Sequence, residues 1–175
     1  MPLICGQEIN YICQPCKTIE RGRIRGVAYL RVTVPAFDYS NPALWAAQVS
    51  ANNAFVIPFV KGTSDGGPVT EVDGYGDIPT YITGRMYTIN YMDPSIVQNC
   101  AFYRRIEKSP EWRFAFVTES RLWISTRAVS VYAINPIEMD PKTAVEHNVT
   151  VKFTESDLLC SFERPVGTFE TCPGT

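Results

Sequence analysis

Stretches that alternate apolar and polar side chains every second residue recur along this chain, and they decide what it can fold into. From Arg23 to Val34, Ile24, Gly26, Ala28, Leu30, Val32 and Val34 share one side, against Arg23, Arg25, Tyr29, Arg31 and Thr33. Thr80 to Tyr91 sets Tyr81, Tyr87, Ile89 and Tyr91 on one face. Trp112, Phe114 and Phe116 alternate with Arg113, Ala115 and Val117. Val145, His147, Val149, Val151 and Phe153 stand opposite Glu146, Asn148, Thr150, Lys152 and Thr154. Successive side chains of a strand point to opposite faces, so each pattern predicts a half-buried strand. Ala54 to Val60, Leu122 to Thr126 and Ala128 to Ile134 add shorter ones, with Pro58 pushing the first toward a sheet edge.

Two segments switch to the helical period. Asn41-Pro42 supplies an N-cap and a first-turn proline for a helix through Leu44, Trp45 and Val49 that stops near Asn52-Asn53. Asp93-Pro94 repeats the device before a longer helix, whose apolar arc is Ile96, Val97, Cys100, Tyr103 and Ile106 and which Pro110 follows. Gly62 to Pro68 predicts a long surface loop, and Glu71 to Pro79 continues in turn-rich composition. Strands that follow one another through short turns pair antiparallel. The expectation is a mainly β fold with one or two helices: an antiparallel β-sandwich or curved sheet flanked by a helix. It forms one domain over residues 1–175, with an irregular N-terminal arm over about 1–20 and a loose C-terminal tail over about 163–175.

Bulk numbers exclude several classes. A chain of 175 residues buries roughly 70% of its unfolded surface, enough for a real core. A formal net charge of -2 leaves no electrostatic footprint for nucleic acid, and the arginines at 21, 23, 25 and 31 form only a small basic stripe. No apolar run approaches the roughly 18 to 20 residues of a membrane span. Met1 to Glu8 lacks a basic start and an apolar run, which predicts a chain assembled in a cytoplasm, with its cysteines reduced. Asn148-Val149-Thr150 matches a glycosylation acceptor and is expected to be silent there.

Chemistry-bearing residues are few. His147 is the one histidine, and alternation puts it on the apolar face of a strand, where a satisfied core or edge role is expected. A nucleophile activated by histidine would have to use this residue, and no serine sits in a nucleophile-elbow pattern. Cys13-Gln14-Pro15-Cys16 has the spacing of half a zinc site, which Cys5 with Cys160 or Cys172 would have to complete. As a redox pair it lacks the usual strand-to-helix context. Glu71, Asp73, Asp77 and Asp65 cluster among glycines without the alternation of a calcium loop, so they read as solvated turn residues. The chain is therefore read as not an enzyme, with no catalytic, cofactor or metal residues and no cofactor. The aromatics Trp45, Tyr75, Tyr81, Tyr87, Tyr91, Phe102, Tyr103, Trp112 and Trp123 exceed the needs of a small sandwich, which reserves some as interface anchors.

The order and spacing of several stretches carry a resemblance. They are Trp45-Ala46-Ala47, Val56-Ile57-Pro58 with Lys61-Gly62, Thr70 to Gly76 and Thr83 to Thr88, then Asn99 to Tyr103, Phe114 to Thr118, Leu122 to Ser125 and Val149 to Phe153. Over about residues 20–155 the chain resembles virion structural proteins of tailed phages and prophages of Bacteroidetes, in particular tail-tube-like subunits. The resemblance implies a β-sandwich-like tube domain with a flanking helix. Such domains assemble with copies of themselves, and with other virion proteins, into stacked, commonly hexameric rings. DNA passes through the channel without specific binding, and the location implied is a virion tail or neck. Flexible arms at Gly62 to Gly67 and at both termini suit a subunit that orders on stacking. A head-tail connector or capsid decoration protein is a close variant. From other classes, a glycan-binding β-sandwich using exposed Trp and Tyr, or a metal or redox protein using Cys13 and Cys16, remain alternatives.

Overall fold

The computed structural model describes residues 22–137, 139, 140, 142 and 145–171. The elements in chain order are β1 (Ile24–Arg31), α1 (Pro42–Ser50), β2 (Ala54–Ser64), β3 (Val69–Val72), β4 (Tyr81–Asp93), α2 (Ile96–Glu107), β5 (Trp112–Val117), β6 (Arg121–Ile124), β7 (Ser130–Ile134), β8 (His147–Glu155) and β9 (Phe162–Glu163). All strands pair antiparallel in one sheet of order β7-β8-β4-β2-β1-β5-β6-β9, with β3 joined to β4. The sheet does not close; it curls so that its two halves pack face to face, as in a sandwich. The expected mainly β architecture with a flanking helix is therefore present.

The curl is made at β2. Against β1, Gly26 faces Pro58 while Ile24 faces Gly62, so β2 carries two extra residues in a bulge. Within it Phe59 adopts φ 62°, a left-handed value that a bulky side chain takes at a cost of about 1–2 kcal/mol. Before the bulge β2 lies beside β1; from Lys61 onward it also pairs with β4. Pro58 thus stands where β2 has a free edge on one side, as proline requires. At the crossing Gly62 has no room for a side chain: a Cβ would lie 2.7 Å from the Asn90 carbonyl oxygen and 2.8 Å from the Tyr91 Cβ.

Curling sandwiches β1 and β5 between two apolar clusters. Val27 and Tyr29 of β1, with Trp112, Phe114 and Phe116 of β5, meet Tyr87, Ile89 and Tyr91 of β4, Val149, Val151 and Phe153 of β8, and Tyr103 and Ile106 of α2. On the opposite face Ala28, Leu30, Ala115 and Val117 meet Trp45 of α1, Tyr39, and Phe169 near the C-terminus. The alternation in residues 23–34 accordingly does not separate core from solvent. Tyr29, assigned by period to the polar side, is fully buried, because β1 has a layer on each face. Past Arg31 the strand ends in a turn, where Val32 is exposed.

Local expectations are corrected at four further places. Residues 62–68 are not one long loop, since β2 runs through Ser64, and the strand Val69–Val72 runs into the start of the turn-rich stretch. The N-cap of α2 is Ser95, while Asp93 closes β4 with its carboxylate turned into the core and accepting the Ser95 amide at 2.9 Å. Cys100 of the predicted apolar arc is exposed. Residues 163–171 are not loose: Phe169 is buried against Trp45, their ring centroids 5.9 Å apart, and packs where Gly26 leaves space. By contrast α1 begins as its sequence requires, Asn41 Oδ1 accepting the Ala43 amide at 3.0 Å with Pro42 in the first turn.

Candidate interaction surface

β4 is longer than its neighbours on one side, and that mismatch makes the most exposed apolar element of the fold. β8 stops at Glu155, opposite Arg85. From Gly84 to Tyr81, β4 is paired only with Thr70 to Val72 of β3. The result is a two-stranded arm tipped by residues 73–80. A bare two-stranded ribbon is marginal in water unless something packs on it. Among the described residues nothing covers this one: every residue of β3 is exposed, as are Tyr81 and Ile82 (56%) of β4 and Tyr75 (89%) and Ile78 of the tip. Large apolar side chains gathered at one protrusion make it a candidate interaction surface, unlike singly scattered exposed residues.

The base of the arm is built rather than loose. Asp65 Oδ1 accepts the amides of Gly67 and Thr88, both at 3.0 Å. Arg85 donates to the Gly67 carbonyl at 2.9 Å, and Met86 N donates to the Pro68 carbonyl at 3.2 Å. Gly67 has φ 69° and lies over the Tyr87 ring, where a Cβ would come within 2.3 Å of Cζ. These bonds let β2 and β3 run along β4 as nearly one strand. The glycine-rich stretch, read as a flexible arm, is a pinned connector.

The outer face of β2, β4, β8 and β7 is the second open surface. The registers align Ile134, Asn148, Met92 and Lys61 in one row, and Tyr132, Thr150, Asn90 and Thr63 in the next. Thr150 Oγ1 donates to Asn90 Oδ1 at 2.8 Å across the strands. Together with Arg23, most of these residues line a concavity of about 540 Å³.

The buried polar groups form a different kind of constellation. Tyr29 and Tyr91 share a hydroxyl hydrogen bond of 2.8 Å, and Tyr91 and Tyr103 one of 3.3 Å. Tyr103 donates to Asp93 Oδ2 at 2.7 Å, and Asn99 donates to the same oxygen at 3.3 Å. Burial pushes the phenols of Tyr29 and Tyr91 well above their ordinary range, and that of Tyr103 is raised by the same cause. His147 lies directly across from Asp93 in the β4–β8 ladder and packs against the Tyr103 ring at 4.8 Å. It is buried as expected, but it is not satisfied: neither ring nitrogen has a hydrogen-bond partner among the described residues. The network crosses between the two sheet halves and ties α2 to β4.

Other singled-out residues separate cleanly. Cys5, Cys13, Cys16, Cys172 and Arg21 lie outside the described residues, while Cys100 and Cys160 are exposed free thiols. Among the described residues no three His, Cys, Asp or Glu side chains converge as a metal site. Glu71, Asp73 and Asp77 are exposed along the arm and its tip. Arg31 lies over the Trp112 ring at 5.1 Å and reaches Glu111 at 3.7 Å, while Arg23 and Arg25 are exposed. Trp45 and Trp112 are core, and Trp123 is half-buried, stacked on Phe116 at 5.4 Å. Tyr75 and Tyr81 alone of the nine reserved aromatics are exposed; Tyr132, which composition did not single out, joins them.

Two buried charged positions went unread in the sequence. Glu155 is buried and accepts the Thr126 amide at 2.7 Å as well as the Thr126 hydroxyl, linking β8 to the segment after β6. Arg113 is buried, donating to the Val34 carbonyl at 2.8 Å and to the Tyr39 hydroxyl at 3.2 Å. The signal for both was charge at a position flanked by strand residues, which also describes solvated positions. No family model matches the chain, and neither curated proteins nor solved structures include a significant match to it.

Proposed function

We propose that this chain is a non-catalytic structural subunit that assembles with copies of itself, with the tail tube of a phage-like particle as the assembly. The reading is carried by one observation: a two-stranded arm projects from the sheet with apolar side chains exposed on β3, on β4 and at its tip. A chain that had to stay monomeric would cover the apolar side chains of such an element. Here the arm is held at its base by the Asp65 and Arg85 hydrogen bonds, so its direction is set before any partner arrives. Preorganisation of that kind lowers the ordering cost of association.

The tube and its ring stacking follow from the resemblance in residues 20–155, which also supplies the reading of a DNA channel lined without specific binding. A head-tail connector or decoration protein would use the same self-association. Negative-stain electron microscopy of the purified chain tests the proposal. Rings or tubes are expected; a species that remains monomeric at every concentration overturns it.

A further inference from the structure

Resting on the self-assembly reading, we infer that the acidic arm of one copy docks in the concave outer face of β2, β4, β8 and β7 of the next. The arm, residues 69–84, carries Glu71, Asp73 and Asp77 and no Lys or Arg. Its apolar side chains, Tyr75, Ile78, Tyr81 and Ile82 among them, are exposed, with no cover among the described residues.

The outer face has the opposite character. Alternation places Lys61 of β2 and Lys152 of β8 on it, both exposed, and Arg23 joins Lys61 at the concavity. The carboxylates of β4 and β8, Asp93 and Glu155, both point inward and are buried. The acidic residues nearest along the chain flank the face: Asp65 follows β2 and is engaged by two backbone amides, and Glu146 precedes β8. Met92, Tyr132 and Ile134 are exposed at its margin and offer apolar contacts beside the cations. The hollow, about 540 Å³, lies in the size range of sites that enclose several side chains or a small ligand. Opposite charges together with matched apolar margins orient two surfaces and suppress wrong registers.

The arm and the hollow are different patches of one subunit, so the contact is head-to-tail. Such a contact repeats from copy to copy, closing into a ring or extending as a filament according to its rotation. A symmetric pairing of like patches would instead stop at a dimer.

Charge reversal tests the docking, since every substituted position is exposed and folding can be checked by thermal unfolding. Assembly of the full chain is followed by sedimentation and electron microscopy. K61E/K152E places carboxylates against an acidic arm, and E71K/D73K places lysines against a basic face. Each alone should raise the concentration for half-assembly by about tenfold or more. Mixing the two should restore assembly with the variants alternating, and a chain carrying all four changes should assemble by itself. Normal assembly of K61E/K152E, or a mixture that stays dissociated, overturns the docking. Loss of assembly in E71K/D73K with normal assembly of K61E/K152E would overturn this docking and seat the arm elsewhere, with self-assembly standing. Retained assembly of K61E/K152E with loss of binding to a single-stranded DNA oligonucleotide would assign the face to a polyanion and overturn it too. A wild-type chain that never assembles overturns the underlying reading instead.

Discussion

The centre of the sheet and the β3–β4 arm are built from the same kind of residue and meet opposite fates. In β1 and β5 nearly every side chain is buried, whichever face it points to. In the arm every strand residue except the half-buried Gly84 is exposed, whichever face it points to. Tyr29 and Tyr81 make the contrast concrete: one is sealed between Phe102 and Phe114 and hydrogen-bonded to Tyr91, the other stands in solvent. A strand is buried by the layers beside it, and the arm has outrun them. The centre holds the fold together, and the arm is left for the association proposed above.

Breaking the centre should have the largest effect. Phe114 touches Tyr29, Tyr91 and Phe116 with no exposure, so Phe114→Ala should cost about 3–5 kcal/mol in denaturant-induced unfolding. A loss below about 1 kcal/mol would mean that the two sheet halves are not closely packed there.

Next comes the polar network that stitches those halves. Tyr103→Phe keeps the ring but removes the donor to the buried Asp93 carboxylate, with an expected cost of about 1–3 kcal/mol. Ser95 and Asn99 remain as donors to that carboxylate, so a cost near zero would show that they suffice.

Alkaline titration sharpens the same point. Tyr29, Tyr91 and Tyr103 keep their protons more tightly in the folded chain than the ordinary value of 10.0. Below that pH their contribution is complete and stability should not depend on them. As pH rises past it, the unfolded chain releases protons that the folded chain retains, and stability falls. Tyr29→Phe should make the decline above about pH 10 shallower, by one proton's worth of slope. An unchanged slope would contradict the burial of this phenol.

The arm should give the smallest change in stability and a large change in association. Ile82→Thr keeps the β-branched shape at an exposed site, so unfolding should move by no more than about 0.5 kcal/mol. Sedimentation should nevertheless show weaker assembly. A variant that unfolds easily but assembles normally would reverse the roles assigned to the two regions.

Much of the fold could be read from the residues because local rules governed it. The periods of two in β4, β5 and β8 and the Asn41-Pro42 start of α1 have causes within a few residues. β3 and β9 escaped because their pairing is supplied by Tyr81–Arg85 and by Arg121 and Leu122, at a distance along the chain. The candidate surface was legible only in part: the surplus of aromatics reserved some as interface anchors but not which remained outside, and the acidic, glycine-containing stretch read only as solvated turns. His147 could be placed in the core by alternation, while its lack of a partner could not, because Asp93 comes opposite it only through the β4–β8 register.

What the sequence determined by itself was the class: strand periods, capped helices and dispersed turn residues specify an antiparallel β fold without a completed catalytic motif. The tertiary structure decided burial. Period says which residues share a face, but the number of layers against that face depends on the bulge at Pro58-Phe59 and on where β8 ends. The same alternation therefore made a doubly buried strand at β1 and an uncovered arm at the end of β4.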